Sequence, residues 1–440
     1  MTETLPVHVW LPGETTPVQA GTFAYDAERP LGEFRYDPAY LEARAPSLAP
    51  DMPLKQGVLR LATGKAIFPL LLDAGPDSWG RHLLARRLGR DITEFEALSV
   101  CPTDGVGNLA LGDLTESRMQ LLTIEQFLAI LAELEAGGVA GSDLEERVLD
   151  AARHGTSLGG TKPKLTLVRN QTQYLAKFPE PGDSRWLPHM ESAMLRLAGE
   201  CGIRACVAEV WHLPDGRAAL LVERFDRTAL PQGWARSAYV SAHALLRLDM
   251  VAPRVAEQLA LATQGFTLSG LRRSYVALAA DMAKWCGGQA VHREERRELW
   301  RRIVFNALIR NLDDHPRNHG FLCRSHAPHV WQLSPAFDLV PASAIAQAPA
   351  LAMAYRYIPP AKKGRQQTGP RLIARISTED LLAAATEHYG YEPDEACEYL
   401  RNTAATVHAR WRPLMAEAGM PDEAVQRFAS VFSWVADVAR

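Results

Sequence analysis

The stretch "RNLDDHPRNHGFL" (Arg310–Leu322) places two adjacent carboxylates, two histidines, two arginines and two asparagines within thirteen residues. It directly follows the apolar run "IVFNALI", so we expect it to begin where a buried helix ends. Its composition is compatible with a metal site, a nuclease centre, a phosphoryl-transfer loop or a solvated turn. The remainder of the sequence has to decide between them.

Composition excludes few classes of protein. A length of 440 residues predicts two to three domains, and 22% charged and 47% apolar residues are ordinary for a soluble globular protein. The net charge of −3 gives no global reason to expect nucleic-acid or membrane binding. No apolar run is long enough to cross a membrane, and no signal peptide is apparent. The six scattered cysteines contain no C-x-x-C pair, which favours a cytoplasmic location.

The chain changes character twice along its length. Short strand patterns between turn residues predict a separate α+β module over 1–120. Residues 121–236 combine strand patterns with helices, and 237–440 are mostly helical. The basic loop "YIPPAKKGRQQTGPR" in the last part is interpreted as a solvated segment, with substrate docking as the alternative.

The spacing of three polar residues matches a kinase active site. Asp313 and Asn318 stand five positions apart, and Asp338 follows twenty positions after Asn318, beyond a predicted hairpin. In phosphoryl transfer the first acid accepts the proton of the attacking hydroxyl, while the asparagine and the later acid hold magnesium. The spacing selects Asp313 as the base, because Asp314 lies only four positions before Asn318.

Upstream residues strengthen this interpretation. The turn "SLGGTKPK" contains glycines that let main-chain N–H groups approach phosphates. Lys177, on a predicted strand, suits the ATP phosphates, and Glu191, on the next helix, suits the task of orienting that lysine. "LVERFDR" would be the hinge beside adenine. The order of these parts predicts a two-lobed kinase.

These motifs resemble those of the HipA-like serine/threonine kinases of bacterial toxin–antitoxin modules. The matching stretches are "TSLGGTKPKL", "YLAKFP", "ERFDR", "NLDDHPRNHGFL" and "LSPAFDLVP", and "DAGPDSWGRHLL" is similar to the family's accessory domain. The resemblance implies an α+β, two-lobed protein-kinase-like fold of the PI3/4-kinase-like HipA type. It would comprise an accessory N-terminal α+β domain (1–120), a kinase N-lobe with phosphate loop and hinge (121–236), and a mostly helical C-lobe with the catalytic and metal-binding loops (237–440).

The resemblance also implies roles for individual residues. Asp313 would be the catalytic base with His315 beside it, and Asn318 and Asp338 would bind Mg²⁺. Ser157 matches a serine that family members autophosphorylate. The ATP-binding residues would be Gly159, Gly160, Thr161 and Lys162 in the phosphate loop, Lys177, Glu223 and Phe225 at adenine, and Asp226 near the ribose.

Three departures from the family pattern accompany this assignment. Arg317 stands where a lysine often precedes the loop asparagine, which keeps the charge but changes the donor geometry. Pro163 removes one N–H donor from the phosphate loop. The metal motif reads "FDLV", without the glycine of eukaryotic protein kinases, so a eukaryotic type of flip is not expected.

The function implied is an ATP- and Mg²⁺-dependent serine/threonine protein kinase acting as a toxin. Its substrate would be a cellular protein, an aminoacyl-tRNA synthetase in some relatives. A small helix-turn-helix antitoxin, HipB-like, would inhibit it, and DNA would be contacted only through that antitoxin. Alternatives are a small-molecule kinase and a catalytically silent partner that acts through an antitoxin–DNA complex.

The remaining alternatives concern the histidines. A metal-dependent nuclease centred on Asp313, Asp314 and His315 would leave the upstream lysine and glutamate unexplained. Zinc ligation by His315 and His319 is disfavoured by Pro316, which argues for a loop. We expect His315 to brace the loop through its ring nitrogens.

Overall fold

The computed structural model describes the chain in segments. Its residues fall into two compact units: unit 1 comprises Met1–Arg185, Trp211–Ala244 and Leu322–Ala327, and unit 2 comprises Trp186–Val210, Leu245–Phe321 and Pro328–Arg440. The described residues are 2–26, 28, 31–61, 66–76, 78–99, 105–114, 164–180, 182–213, 216–248, 271–326, 329–343, 348–363 and 366–440.

The strands and helices of the described segments are numbered here in chain order. The strands are β1 (Thr2–Trp10), β2 (Pro17–Asp26), β3 (Leu31–Tyr36), β4 (Leu59–Leu61), β5 (Leu109–Leu111), β6 (Lys164–Arg169), β7 (Thr172–Lys177), β8 (Ala208–His212), β9 (Ala218–Glu223), β10 (Arg227–Leu230), β11 (Gly233–Arg236), β12 (Tyr239–Ser241), β13 (Gly320–His326), β14 (His329–Leu333), β15 (Arg356–Ile358), β16 (Ala361–Lys363), β17 (Gln366–Thr368) and β18 (Arg371–Ile373). The helices are α1 (Pro38–Glu42), α2 (Pro69–Ala74), α3 (Ser78–Leu88), α4 (Glu94–Ser99), α5 (Leu187–Glu200), α6 (Ala242–Leu245), α7 (Tyr275–Asp281), α8 (Gln289–Ile309), α9 (Thr378–His388), α10 (Pro393–Glu417), α11 (Asp422–Gln426) and α12 (Val435–Val438).

Unit 1 begins with a five-stranded sheet of order β4-β3-β2-β1-β5. Alternating side chains of these antiparallel strands bury aromatic rings, including Phe23 and Phe34, which are both 0% exposed. Gly32 lies so close to Ala66 that a Cβ built there would stand 1.8 Å from the Ala66 carbonyl oxygen. Only glycine fits this close approach, which explains its place inside a strand.

A second sheet of order β6-β7-β9-β8 carries the strands that the sequence assigns to the kinase N-lobe. β6 and β7 form an antiparallel hairpin whose turn residues, Asn170 and Gln171, both have positive φ angles of 50° and 58°. A two-residue turn with two positive φ angles matches the right-handed twist of the strands. β9 pairs with the other side of β7, from Tyr174↔Glu223 to Lys177↔Leu220.

The N-terminal module and the following strands form one compact unit. Asp73, on α2, accepts hydrogen bonds from the main-chain N–H of Ser241 at 2.7 Å and from its hydroxyl at 2.8 Å. Both residues are buried, so these bonds fix α2 against β12. The two units do not test the predicted boundary at residue 120, which stays a prediction.

Unit 2 is mostly helical, as the sequence predicts for its C-terminal part. The long helix α8 lies at its centre, and the indole N–H of Trp300, which is 0% exposed, donates to the Leu381 carbonyl oxygen at 3.0 Å. Exposed ion pairs join α5 to α10, including Arg410 with Glu200 at 2.8 Å. In the described part of the chain, no helix is both long and apolar enough to cross a membrane.

Candidate active site

The polar stretch that opened the sequence analysis begins where α8 ends. Residues 303–309 are almost fully buried, which holds the end of this helix in the core of unit 2. Arg310 then takes the left-handed conformation, with φ 53° and ψ 44°. Its N–H donates to Ala307, and the N–H of Asn311 donates to the Asn306 carbonyl oxygen at 2.9 Å. This pair of bonds is a Schellman motif, which turns the chain sharply out of the helix.

The predicted catalytic loop is compact and stabilised by its own main chain. The N–H of His315 donates to the Asp313 carbonyl oxygen at 2.8 Å, and the N–H of Asn318 donates to the His315 carbonyl oxygen at 2.9 Å. A short 3₁₀ turn, Pro316–Asn318, follows. The side chain of Asp313 is exposed, as a base that meets a substrate hydroxyl must be.

His315 braces the loop differently from our expectation. Its main-chain groups make the two bonds described above, whereas its ring Nδ1 is buried without a hydrogen-bond partner among the described residues. The predicted bracing through both ring nitrogens is therefore wrong at Nδ1. A tight turn of this kind needs main-chain bonds between near neighbours, and these depend on no particular side chain.

Asp314, which has no role in the predicted kinase site, lies at the centre of a buried hydrogen-bond network. It is 1% exposed, and its Oδ2 accepts hydrogen bonds from the hydroxyl of Tyr275, from Asn306 Nδ2 at 2.6 Å and from His319 Nε2 at 3.0 Å. Burial, followed by the negative charge of Asp314, raises the pKa of Tyr275 well above its usual value, so this hydroxyl remains a donor. Asp314 Oδ2 and His319 Nε2 are both engaged within this network, so neither atom is available as a metal ligand in this arrangement.

Asp338 occupies an unusual main-chain conformation. Its φ is 61°, in the left-handed region that few residues other than glycine adopt. Its N–H donates to Glu191 Oε1 at 3.2 Å, and its carbonyl oxygen accepts from Asn311 Nδ2 at 3.4 Å. Glu191, predicted to orient Lys177, therefore contacts the main chain of the predicted metal ligand. That lysine lies in unit 1 and Glu191 in unit 2, so their pairing stays a prediction.

A buried network of charges, not foreseen from the sequence, holds the segment that leads to Asp338. Glu295 and Glu298 on α8 are each 1% exposed, and Glu298 pairs with Arg302 at 3.0 Å. Glu295 accepts from the Leu333 N–H at 2.9 Å, and Arg302 donates to the Ser334 carbonyl oxygen at 2.7 Å. The spacing of these charges along "REERRELWRRI" is the signal that could have indicated the network.

The residues predicted to contact ATP in unit 1 have different environments. Lys177 ends β7 and is half-buried, and Glu223 ends β9 with an exposed side chain. Phe225 packs against the cluster of Val106, Tyr239 and Leu322. The ring therefore contributes to the core of unit 1 at the predicted hinge.

Asp226 lies at the centre of a buried ion cluster. It is 0% exposed, and its Oδ2 lies 2.9 Å from Arg224 Nη2 and 2.7 Å from Arg227 Nη1. The Gly107 N–H donates to the same carboxylate at 2.7 Å. Burial alone would raise the pKa of Asp226, but the two arginines outweigh it and hold the pKa well below its usual value. This environment favours a structural role over the predicted one beside the ribose.

The two arginines continue this cluster into the N-terminal module. Arg224 donates to the Gly105 carbonyl oxygen at 3.0 Å, and Arg227 donates to the carbonyl oxygens of Gly105 at 2.7 Å and Gly107 at 3.0 Å. The hydroxyl of Thr166 on β6 accepts from Arg224 at 3.0 Å. The chain around the predicted hinge is thus tied to a loop some 120 residues earlier in the sequence.

The chemistry of the donor set fits a magnesium ion. The Asn318 Nδ2 donates to the Asp313 carbonyl oxygen at 3.3 Å, which turns the amide oxygen of Asn318 in the opposite direction. Amide and carboxylate oxygens, as in Asn318 and Asp338, are the hard ligands that Mg²⁺ prefers. The predicted phosphate loop and phosphorylation site lie outside the described residues: Ser157, Gly159, Gly160, Thr161 and Lys162.

Comparisons with known proteins agree with this fold. One family model, the HipA N-terminal domain, matches residues 7–112, and a second, the HipA-like C-terminal domain, matches residues 156–411. A chain of the Shewanella oneidensis MR-1 toxin–antitoxin complex of HipA, HipB and operator DNA aligns with a TM-score of 0.67. It is 19% identical, and the alignment covers 99% of this chain and 96% of that chain.

A second solved structure is less similar to this chain. The Helicobacter pylori proinflammatory kinase CtkA aligns with a TM-score of 0.42 and 13% identity, over 64% of this chain and 91% of that chain. A similarity of this size does not establish a shared fold. No curated protein sequence matches this chain significantly.

The structure thus has the two-lobed, protein-kinase-like α+β fold that the sequence predicted. The chain belongs to the HipA family, because the model of the C-terminal domain alone matches more than half of its length.

Proposed function

We propose that this protein is an ATP- and Mg²⁺-dependent serine/threonine protein kinase that acts as a toxin. One observation carries the proposal: of two adjacent carboxylates, Asp313 is exposed while Asp314 is buried and engaged by three donors. Only Asp313 is free to meet a substrate, and it is also the acid that stands five positions before Asn318. Membership of the HipA family supports the same assignment.

In the proposed reaction, the Asp313 carboxylate accepts the proton of a serine or threonine hydroxyl on the substrate protein. The hydroxyl oxygen then bonds to the γ-phosphorus of ATP as the bond from that phosphorus to the β,γ-bridging oxygen breaks, which releases ADP. Asn318 and Asp338 would hold Mg²⁺, which neutralises the charge that develops on the phosphate oxygens. Lys177 would contact the ATP phosphates and Glu223 and Phe225 the adenine.

Regulation and location are parts of the same proposal. The Shewanella relative was crystallised with HipB and operator DNA, which supports a small HipB-like antitoxin as the partner of this chain. DNA would then be contacted only through the antitoxin, and the protein would act in the cytoplasm. Autophosphorylation of Ser157 would add a charge of about −1.5 to −2 beside a loop built to bind another phosphate.

Incubation of the purified chain with γ-labelled ATP tests the proposal. We expect label on the protein itself, mapped to Ser157 by peptide mass spectrometry, and its loss in Ser157→Ala and on chelation of divalent ions. Transfer of label to sugars or aminoglycosides, with none to protein, would identify a small-molecule kinase instead. Undiminished growth inhibition by Asp313→Ala would identify a catalytically silent partner.

A further inference from the structure

Both main-chain polar groups of Asp338 are held by buried side chains. The N–H donates to Glu191, which is 4% exposed on α5, and the carbonyl oxygen accepts from Asn311, which is 3% exposed just after α8. The two contacts come from separate elements of unit 2 and act on opposite sides of one residue. They therefore define the orientation of its peptide planes.

This restraint matters because the conformation of Asp338 is uncommon. A φ of 61° brings the Cβ of a residue other than glycine close to its own main chain, so surrounding contacts must maintain it. The direction of the Cα–Cβ bond, and with it the position of the carboxylate, follows from that φ. A change in either contact should move the carboxylate without removing it.

The contact with Asn311 also connects Asp338 to the catalytic loop. Asn311 Nδ2 also donates to Asn306 Oδ1 at 3.1 Å, and Asn306 Nδ2 donates to Asp314 at 2.6 Å. A continuous chain of buried hydrogen bonds thus extends from the segment of Asp338 to the neighbour of Asp313. Buried polar groups in such chains are costly to leave unsatisfied, so the chain favours one relative position of the two segments.

We infer that Glu191 and Asn311 are positioning residues that set the carboxylate of Asp338 for metal binding. This inference rests on the proposed function, since it takes Asp338 as a magnesium ligand. It assigns to Glu191 the task of accepting the Asp338 N–H, which needs an acceptor oxygen but no charge. The task of orienting Lys177 would need the negative charge, and the two roles can be separated on that basis.

Two variants of Glu191 separate its roles, and a third variant tests Asn311. Glu191→Gln keeps an acceptor oxygen and the side-chain size, whereas Glu191→Met keeps the size and removes the acceptor. Asn311→Ala removes the donor on the other side of Asp338. Ser192→Ala is the matched control, because Ser192 is buried beside Glu191 on α5 but bonds to the Ala208 carbonyl oxygen.

The measurement is binding of Mn²⁺, used as a paramagnetic substitute for Mg²⁺, to the full chain with a non-hydrolysable ATP analogue. Electron paramagnetic resonance reports the free ion, and a thermal unfolding midpoint shows that each variant is folded. Loss of groups that orient metal ligands weakens binding by about 10- to 100-fold. We expect a loss of this size in Glu191→Met and Asn311→Ala, and less than about threefold in Glu191→Gln and Ser192→Ala.

Each other outcome has a distinct meaning. Wild-type affinity in folded Glu191→Met and Asn311→Ala would overturn the inference and leave the proposed kinase intact. A loss in Glu191→Gln equal to that in Glu191→Met would show that the charge is needed, which overturns the assignment of Glu191. If Glu191→Met fails to fold, Mn²⁺ binding by Asn311→Ala tests whether contacts with the Asp338 main chain position its carboxylate, and wild-type affinity in that variant overturns the inference. Absence of Mn²⁺ binding by the wild-type chain would overturn the metal assignment and the inference together.

Discussion

Asp313 and Asp314 are adjacent in sequence but have opposite environments: the side chain of Asp313 is exposed, whereas Asp314 is 1% exposed and lies 3.0 Å from His319 Nε2. The tight turn that begins at Asp313 turns the two side chains in different directions. One carboxylate is left for chemistry, and the other anchors the loop to the core of unit 2. The two should therefore respond differently to the same substitution.

Asp314→Asn should reduce stability. An amide in place of the carboxylate removes the charge that three donors face and places an N–H₂ group among them. Hydrogen bonds to charged groups contribute about 1.5–3 kcal/mol each, so we expect the free energy of unfolding to fall by at least about 2 kcal/mol. Urea denaturation followed by circular dichroism measures this. An unchanged midpoint would show that the network does not stabilise the loop.

Tyr275→Phe should have a smaller effect in the same direction. It removes one donor to Asp314 and leaves the ring. This ring packs edge-on against the His319 ring, with 5.6 Å between the two ring centroids. We expect a loss of about 1.5 kcal/mol in the free energy of unfolding, because two other donors to Asp314 remain. Tyr25→Phe is the control, because the Tyr25 ring stacks on Phe95 while its hydroxyl makes no hydrogen bond within the described segments. Equal effects of the two variants would contradict the assigned bond.

Asp226→Asn should destabilise unit 1 strongly. It leaves the guanidinium groups of Arg224 and Arg227 buried without their counter-charge, and breaking a buried ion pair in this way costs about 3–5 kcal/mol. Glu96→Gln, which disrupts an exposed pair with Arg90 in the same unit, should change the unfolding midpoint much less. The comparison uses guanidinium denaturation at pH 7. Similar losses in both variants would contradict a structural role for Asp226.

The effect of Asp226 should also depend on pH in a defined direction. The pKa of Asp226 in the folded chain lies below its usual value, so the carboxylate stabilises the fold above the unfolded pKa of about 3.9. As the pH falls below about 4, the unfolded chain binds a proton that the folded chain does not, and this stabilisation is lost. The difference in the free energy of unfolding between wild type and Asp226→Asn should thus decrease below pH ~4. A difference in the free energy of unfolding that stays constant down to pH ~3 would contradict the lowered pKa of Asp226.

Asn318→Ala should raise the requirement for magnesium. It removes one proposed oxygen ligand while Asp338 remains, so binding weakens but need not vanish. We expect the Mg²⁺ concentration for half-maximal phosphorylation to rise about tenfold or more. Asn402→Ala, at an exposed position on α10, is the control and should leave this concentration unchanged. An unchanged requirement in Asn318→Ala would remove this residue from the site.

The sequence predicted the parts of the structure that depend on local order. The apolar run before Arg310 predicted the end of a buried helix, and α8 ends at Ile309. The spacing of Asp313 and Asn318 pointed to a loop directly after this helix, and these residues lie in a compact turn. These signals lie within a few residues of the feature that they predict.

Contacts between distant segments could not be predicted in this way. Asp314 accepts a hydrogen bond from Tyr275, 39 positions earlier, and Arg227 donates one to Gly107, 120 positions earlier. Such pairings depend on how whole elements pack. A weak signal existed in Asn306, a single polar residue inside the apolar run "IVFNALI", since a buried amide needs partners. The contact of Glu191 with Asp338 had no comparable signal.

Transfer of phosphate from ATP by Asp313→Asn tests the central claim most directly. The variant keeps the size of the side chain and an exposed position, so its thermal unfolding midpoint should match that of the wild type. Loss of a general base typically lowers the rate by about 10²- to 10⁴-fold, and we expect a decrease of that size in autophosphorylation. A folded Asp313→Asn chain that transfers phosphate at the wild-type rate would contradict the assignment of Asp313 as the catalytic base.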